Sequence, residues 1–241
     1  MRRVVLPPNV LPEPNRMLPK KKSSYLKNIA IVGASGLGRE VLLLIHQINQ
    51  LIPVWHVTGF YDDNPDTPHT INEYPYLGKL AKLQAVKEPL HVAIAIGNPN
   101  IKAQVRQKLT NEHLLFPVLV HPEVANEPYQ FNQLGDGTII TKGCILTTNI
   151  TLGQHVLLNL GCTLGHDVQI GNYSSLMPHV NIAGNSTLGE QVYAGTNATV
   201  IQFLKVGSRA IIGAGAVVHR DLPASVTAVG VPAQVIKKHN G

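Results

Sequence analysis

The stretch Leu158-Asn159-Leu160-Gly161-Cys162-Thr163-Leu164-Gly165-His166-Asp167-Val168-Gln169-Ile170-Gly171 carries an aliphatic residue at every sixth position, at Leu158, Leu164 and Ile170. Followed outward, the beat begins at Leu134 and passes through Ile140, Leu146, Leu152, Leu158, Leu164, Ile170, Leu176, Ile182, Leu188, Ala194, Val200, Val206 and Ile212 to Val218. Fourteen of these fifteen positions are Ile, Leu or Val. Four residues after each lies a second uncharged position, from Thr138, Cys144 and Ile150 to Ala216 and Leu222, mostly small or β-branched. Glycine often follows the aliphatic residue, as in Leu152-Gly153, Leu164-Gly165, Leu188-Gly189 and Ile212-Gly213, which suits a short strand and a tight corner. Neither the 3.6 period of a helix nor the 2.0 period of a strand sustains such a beat. It is the hexapeptide signature of a parallel β-helix, whose rungs stack about 4.8 Å apart and bury each aliphatic residue between its neighbours. Three hexads make one triangular coil, so fifteen predict five coils. The period specifies a scaffold and, alone, no activity.

Upstream the pattern changes. Asn28-Ile29-Ala30-Ile31-Val32 reads as a strand entering Gly33-Ala34-Ser35-Gly36-Leu37-Gly38, followed by the helix-like Arg39-Glu40-Val41-Leu42-Leu43-Leu44-Ile45. A strand, a glycine turn and a helix aim free backbone N–H groups at a phosphate, although a tight structural turn uses the same residues. A second strand around Val54–Phe60 ends in Tyr61-Asp62-Asp63-Asn64, and a third, Val92–Ile96, ends in Gly97-Asn98. Carboxylates and small residues at the carboxyl edge of a parallel sheet are placed to meet a nucleotide. Leu80–Val86 and Ile101–Leu109 read as flanking helices. The span is short for a dinucleotide fold and predicts half a Rossmann unit, sized for one nucleotide. The organisation expected is therefore a tail over 1–27, an α/β half-Rossmann domain over 28–116 and the β-helix over 117–241. Pro122 and Pro128 degrade the hexad register and predict a capping turn at the entry to the β-helix.

The net charge of +6 invites a nucleic-acid reading until it is located. Residues 1–27 hold seven Lys/Arg and one Glu, a balance of +6, which leaves the remainder neutral. Five prolines precede Lys20-Lys21-Lys22, so the tail reads as a disordered extension. No nucleic-acid partner is expected. No apolar run approaches the roughly 20 residues of a membrane span, and Val4-Val5-Leu6 is too short for a signal h-region. Cys144 and Cys162 stand eighteen residues apart, one coil, and predict two stacked buried thiols in a reducing cytoplasm. No His or Cys cluster shows metal-ligand spacing, so no metal site is expected.

The order GASGLGREVLLLI, GFYDDN, AIAIGNPN, LVHPE, the hexads around His166 and the closing Gly230-Val231-Pro232-Ala233 is similar to the sugar O- and N-acyltransferases. That group includes the sialic acid O-acetyltransferases and the N-acetyltransferases of bacillosamine and perosamine precursors. The resemblance implies a left-handed β-helix, a homotrimer with active sites between neighbouring helices, and acetyl transfer from acetyl-CoA to a nucleotide-linked amino sugar in surface-glycan synthesis. O-acetylation of a sialic acid or another sugar is the alternative, and a trimeric scaffold or nucleotide-sensing module is a further one.

Carried over residue by residue, the general base is His166, and Asp167 fixes its tautomer and steadies the imidazolium. Histidine has the unperturbed pKa nearest neutrality, so it accepts a proton at working pH. His155 and His179, each fourth in its hexad, are the rival bases, neither followed by an acid. Ser175, Gly184, Gly195, Thr196, Gly213 and Ala214 are expected along the acetyl-CoA groove, with Asn159 near the reacting centre. Ser35, Gly36, Leu37, Asp62, Asp63 and Gly97 are expected at the nucleotide. Two positions depart from the family: Ser175 stands where bacillosamine-type enzymes place a second His against the thioester carbonyl, and Leu37 replaces a His frequent in the glycine turn.

Overall fold

The computed structural model describes residues 26–239. The basic tail expected over 1–27 lies, except for its last two residues, outside the described residues.

The first part is a twisted sheet whose central strand is β1 (Lys27–Val32), pairing in parallel with β2 (Trp55–Tyr61) on one side and, on the other, with a strand at Leu90–Ile94. Between them in sequence come a hairpin of β3 (Thr70–Ile71) and β4 (Tyr74–Gly78), with β5 at Leu90–Ile94 and β6 at Leu114–Leu115. The sheet order is β3-β4-β2-β1-β5-β6. Helix α1 (Gly36–Leu51) follows β1 and buries Val41, Leu42, Leu44 and Ile45, spaced as one face of a helix. Gly38 is needed there, because a Cβ would collide with the Gly33 carbonyl and press on the Phe60 ring. Helix α2 (Pro99–Lys108) follows β5, with Pro99 at its first turn and the Asn98 side chain accepting from the amides of Asn100 and Ile101. The helix expected over Leu80–Val86 is a 3-10 helix, Leu80–Ala85, whose first amide is held by Asp63.

The second part is a left-handed parallel β-helix. Its fifteen two-residue strands end on the fifteen aliphatic positions of the hexad beat, from Gln133–Leu134 to Val217–Val218. Each of the first twelve pairs in register with the strand eighteen residues on, as Leu158 does with Leu176 and Leu164 with Ile182. The second position of the hexad is buried too: Thr138, Val168, Ser174 and Val180 are fully enclosed. At the corners one residue takes a left-handed backbone, recurring every six residues, and Asn149, His155, Asp167, His179 and Phe203 all occupy it. Cys144 and Cys162 are buried free thiols, each turned onto main-chain carbonyls of the next rung. The expected capping turn contains a short 3-10 helix, Pro128–Gln130, but Leu119–Val120 already forms an extra rung on Ile139–Ile140.

Three faces result. The face bearing Ile139 and Leu157 is covered by the first part, in a core shared with Val41, Leu44 and Trp55. A second face, with Ile145, Thr163, Asn181 and Thr199, is open and shallowly grooved. The third bears Gln133, Thr151, Gln169, Thr187 and Lys205.

Candidate active site

His166 stands at the corner between the open face and the third face, held between the buried Leu164 and Val168. Its ring projects into solvent, as does Asp167 beside it. Nδ1 lies 2.8 Å from Asp167 Oδ2, and 3.3 Å from the Asn185 side-chain amide. A neutral imidazole carries one ring proton, and the shorter, carboxylate contact takes it. Among the described residues Nε2 has no hydrogen-bond partner and keeps its lone pair, the arrangement a general base requires. The ring lies flat on the corner of the next coil: a Cβ built on Gly184 would stand 2.6 Å from Nε2 and 2.7 Å from Cε1. Gly184 thus serves first as the floor of the histidine, a role distinct from the groove wall expected of it.

The rival histidines differ in kind. His155 is buried, stacked on Tyr173 with ring centroids 5.6 Å apart and met edge-on by Phe116 at 5.2 Å. Burial, reinforced by the charges of Arg106 and Lys102, pushes its pKa down to about 3. Such a ring is a packing element, neutral and out of reach of substrate. His179 is exposed at its corner, and among the described residues no acid lies against its ring.

A second site lies at the carboxyl edge of the sheet. Ser35, Asp62, Asp63 and Gly97 line one cleft of ≈ 370 Å³ together with Gly33 and the α2 residues Ile101, Gln104, Val105 and Lys108. Gly36 adjoins it as the first residue of α1, whose Ser35 cap makes no side-chain bond, so the first amides of the helix remain free for an anion. Asp62 is committed to the architecture as well: its oxygens accept from the amides of Ala34 at 2.7 Å and Asn64 at 2.9 Å, tying the glycine turn to the end of β2. Leu37 is not in this cleft. It turns toward the β-helix, where it and Met177 bracket Gly97.

Residues 28–109 match the PglD N-terminal domain. The GDP-perosamine N-acetyltransferase of Escherichia coli O157:H7 is 30% identical over 216 residues, 86% of this chain and 96% of that protein. The chain belongs to the sugar O- and N-acyltransferase family. Among solved members, PerB from Caulobacter crescentus in complex with CoA and GDP-perosamine superposes with a TM-score of 0.79 at 27% identity, over 87% of this chain and 97% of that one. The acetyltransferase domain of PglB from Neisseria gonorrhoeae FA1090, in complex with acetyl coenzyme A, gives 0.79 at 27% identity over 88% and 100%.

The sites that this acyltransferase chain was expected to assemble fall on two different edges of the prism. His166, Asp167 and Gly184 share one. Asn159, Gly195, Thr196, Gly213 and Ala214 share another, across the open face, with Thr196 and Ala214 exposed. Asn159 departs from expectation: it is 6% exposed, and its Oδ1 accepts from the Leu160 amide at 2.7 Å, holding its own turn. Ser175 departs further. It is fully enclosed on the covered face, where its Oγ accepts a 2.8 Å bond from Lys102 Nζ, so it presents no donor to an open groove. Lys102, 1% exposed, escaped the sequence reading because a lysine in a polar helix reads as solvated. Gly184 was within reach of it, since it lies one eighteen-residue coil after His166.

Proposed function

We propose that this protein transfers the acetyl group of acetyl-CoA to the amine of a nucleotide-linked amino sugar, with His166 as the base. The observation that carries the reading is the imidazole pinned at Nδ1 by Asp167 with Nε2 free, on a chain that also holds a nucleotide-sized cleft. Support comes from the relatives: one is a GDP-perosamine N-acetyltransferase, and another is solved with CoA and GDP-perosamine.

In this reading Ser35, Gly36, Asp63 and Gly97 hold the nucleotide, the α1 N-terminus facing its phosphates. As the amine attacks the thioester carbonyl, His166 Nε2 takes the amine's proton, and Asp167 steadies the imidazolium. Collapse of the tetrahedral adduct breaks the carbon–sulfur bond, and Nε2 returns the proton to the departing thiolate. Backbone amides along the groove, in place of Ser175, supply the donors for the oxyanion.

One chain does not hold the whole site. The histidine edge and the edge bearing Gly195, Thr196, Gly213 and Ala214 are separated by the open face, so a neighbouring chain must bring the second to the first. A cyclic homotrimer places the open face and these edges at its interfaces. An enzyme of this kind works where acetyl-CoA is made, in the cytoplasm, and among the described residues no helix is long and apolar enough to cross a membrane. Calorimetric titration tests the assignment: acetyl-CoA and a nucleoside diphosphate such as GDP or UDP each bind. Binding of acetyl-CoA alone would favour a nucleotide-independent sugar O-acetyltransferase, and binding of neither would leave a scaffold.

A further inference from the structure

Helix α2 touches three things at once. Ile101, Gln104, Val105 and Lys108 form a wall of the nucleotide cleft. Asn98, Asn100, Gln104 and Gln107 line a larger groove of ≈ 630 Å³ on the other side, against Tyr193 and Arg209 of the β-helix. Between these surfaces the side chain of Lys102 runs into the junction itself. Its ammonium donates to Ser175 Oγ at 2.8 Å and the Ser174 carbonyl at 3.3 Å.

This ammonium is 1% exposed, and among the described residues it has no carboxylate partner. The ionisable or charged groups around it are Arg106, one turn on along α2 and laid 4.2 Å over the Phe116 ring, and His155 of the β-helix, kept neutral by its burial. Neither compensates a positive charge. Enclosing an amine in this way opposes folding, and a methionine would fill much of the same space without that penalty. What methionine lacks is direction. Hydrogen bonds from one nitrogen to two acceptors on successive residues of a rung fix the sliding and rotation of α2 against the β-helix, where apolar packing tolerates slippage.

We propose that Lys102 is a positioning residue for the acceptor: by latching α2 to Ser174 and Ser175 it sets where the nucleotide cleft stands relative to the β-helix edges that carry out transfer. The inference rests on the function proposed above.

The test compares wild-type enzyme with Lys102→Met and Ser175→Ala, in acetyl-transfer assays on the nucleotide amino sugar that the wild type turns over and by amide hydrogen exchange. Lys102→Met is expected to lower acceptor kcat/KM by about tenfold or more, since an ångström of misplacement at a reacting centre costs up to about a hundredfold. Acetyl-CoA affinity should stay within about twofold and Tm should not fall, while the α2 amides exchange faster. Ser175→Ala, which keeps the carbonyl acceptor, should move the same quantities by less. Unchanged kcat/KM and unchanged α2 exchange in Lys102→Met would overturn the proposal. So would a loss of kcat/KM matched by an equal loss of acetyl-CoA affinity, which would mark a general collapse. If the wild type itself transfers no acetyl group, the functional reading fails separately, and the exchange of α2 still decides whether Lys102 is a latch.

Discussion

Replacing Gly184 by alanine isolates the positioning of the proposed base from its chemistry. The backbone at Gly184 is not in the left-handed region, so alanine is tolerated locally, and the three atoms nearest to its methyl all belong to the His166 ring. The Cβ would stand 2.6, 2.7 and 2.9 Å from Nε2, Cε1 and Cδ2. Carbon atoms rest at about 3.5–4.0 Å, so the ring must retreat by about 1 Å. Because the imidazole is solvent-facing, it swings aside at little cost to the fold, and the 2.8 Å bond to Asp167 loosens as it does. A displacement of that size at a reacting group lowers the rate by about a hundredfold, equivalent to about 2.7 kcal/mol on the barrier. Release of free CoA thiol from acetyl-CoA in the presence of acceptor reads kcat directly, and thermal unfolding checks the fold. Gly184→Ala with kcat within about threefold of wild type would refute the reasoning. Nε2 would then not be working from the position in which it is seen.

Five further outcomes follow from the same geometry. Asp62→Ala removes the acceptor for the Ala34 and Asn64 amides and should raise acceptor KM with acetyl-CoA binding intact, whereas an unchanged KM would make the first domain a mere support. His155 has its pKa pushed from 6.5 to about 3, so below pH 6.5 the unfolded chain binds a proton that the folded chain refuses. Stability should therefore fall as pH drops from about 6.5 towards 3, and His155→Phe should flatten that limb of the Tm profile while leaving neutral-pH kcat near wild type. Lys102, lowered by burial from 10.5 to about 7, works in the opposite window. The folded state releases its proton first, so Tm should gain from pH 7 upward in wild type and lose that gain in Lys102→Met. For assembly, light scattering should return three 26.1 kDa chains. Co-expressing His166→Ala with Gly213→Trp, each inactive alone, should restore roughly a quarter of the sites if each is shared between two chains; no recovery would place the site within one.

Much of the β-helix was legible because the repeat is one-dimensional: a residue inward in one rung is inward in the rung eighteen residues on, and Leu158, Leu176 and Ala194 obey the same rule. The glycine turn and the ends of β2 and β5 were legible for a similar reason, since hydrophobic strands broken by Gly33, Asp62 and Gly97 announce one edge of a sheet. The hairpin of β3 and β4 was not, because it stands alone, with no repeat to reinforce a two-residue strand and a short partner containing Pro75. Ser175 was placed on the groove by carry-over from the family, which the hexad alone does not correct. Its position in the hexad points out of the prism, and outward means solvent only where no other part of the chain covers the face. That covering, and with it Lys102, is a property of tertiary packing between segments some seventy residues apart. Gly184 and His166 needed only the coil length to be paired.

The most direct measurement incubates purified protein with acetyl-CoA and a panel of nucleotide-linked amino sugars, GDP-linked and UDP-linked, and follows the products by mass. The account predicts the gain of one acetyl group on the amine of at least one of them, with kcat lowered by about 10²–10⁴-fold in His166→Ala and assembly and acetyl-CoA affinity retained. Acetylation of a hydroxyl on a nucleotide-free sugar, or a His166→Ala enzyme as fast as wild type, would contradict it.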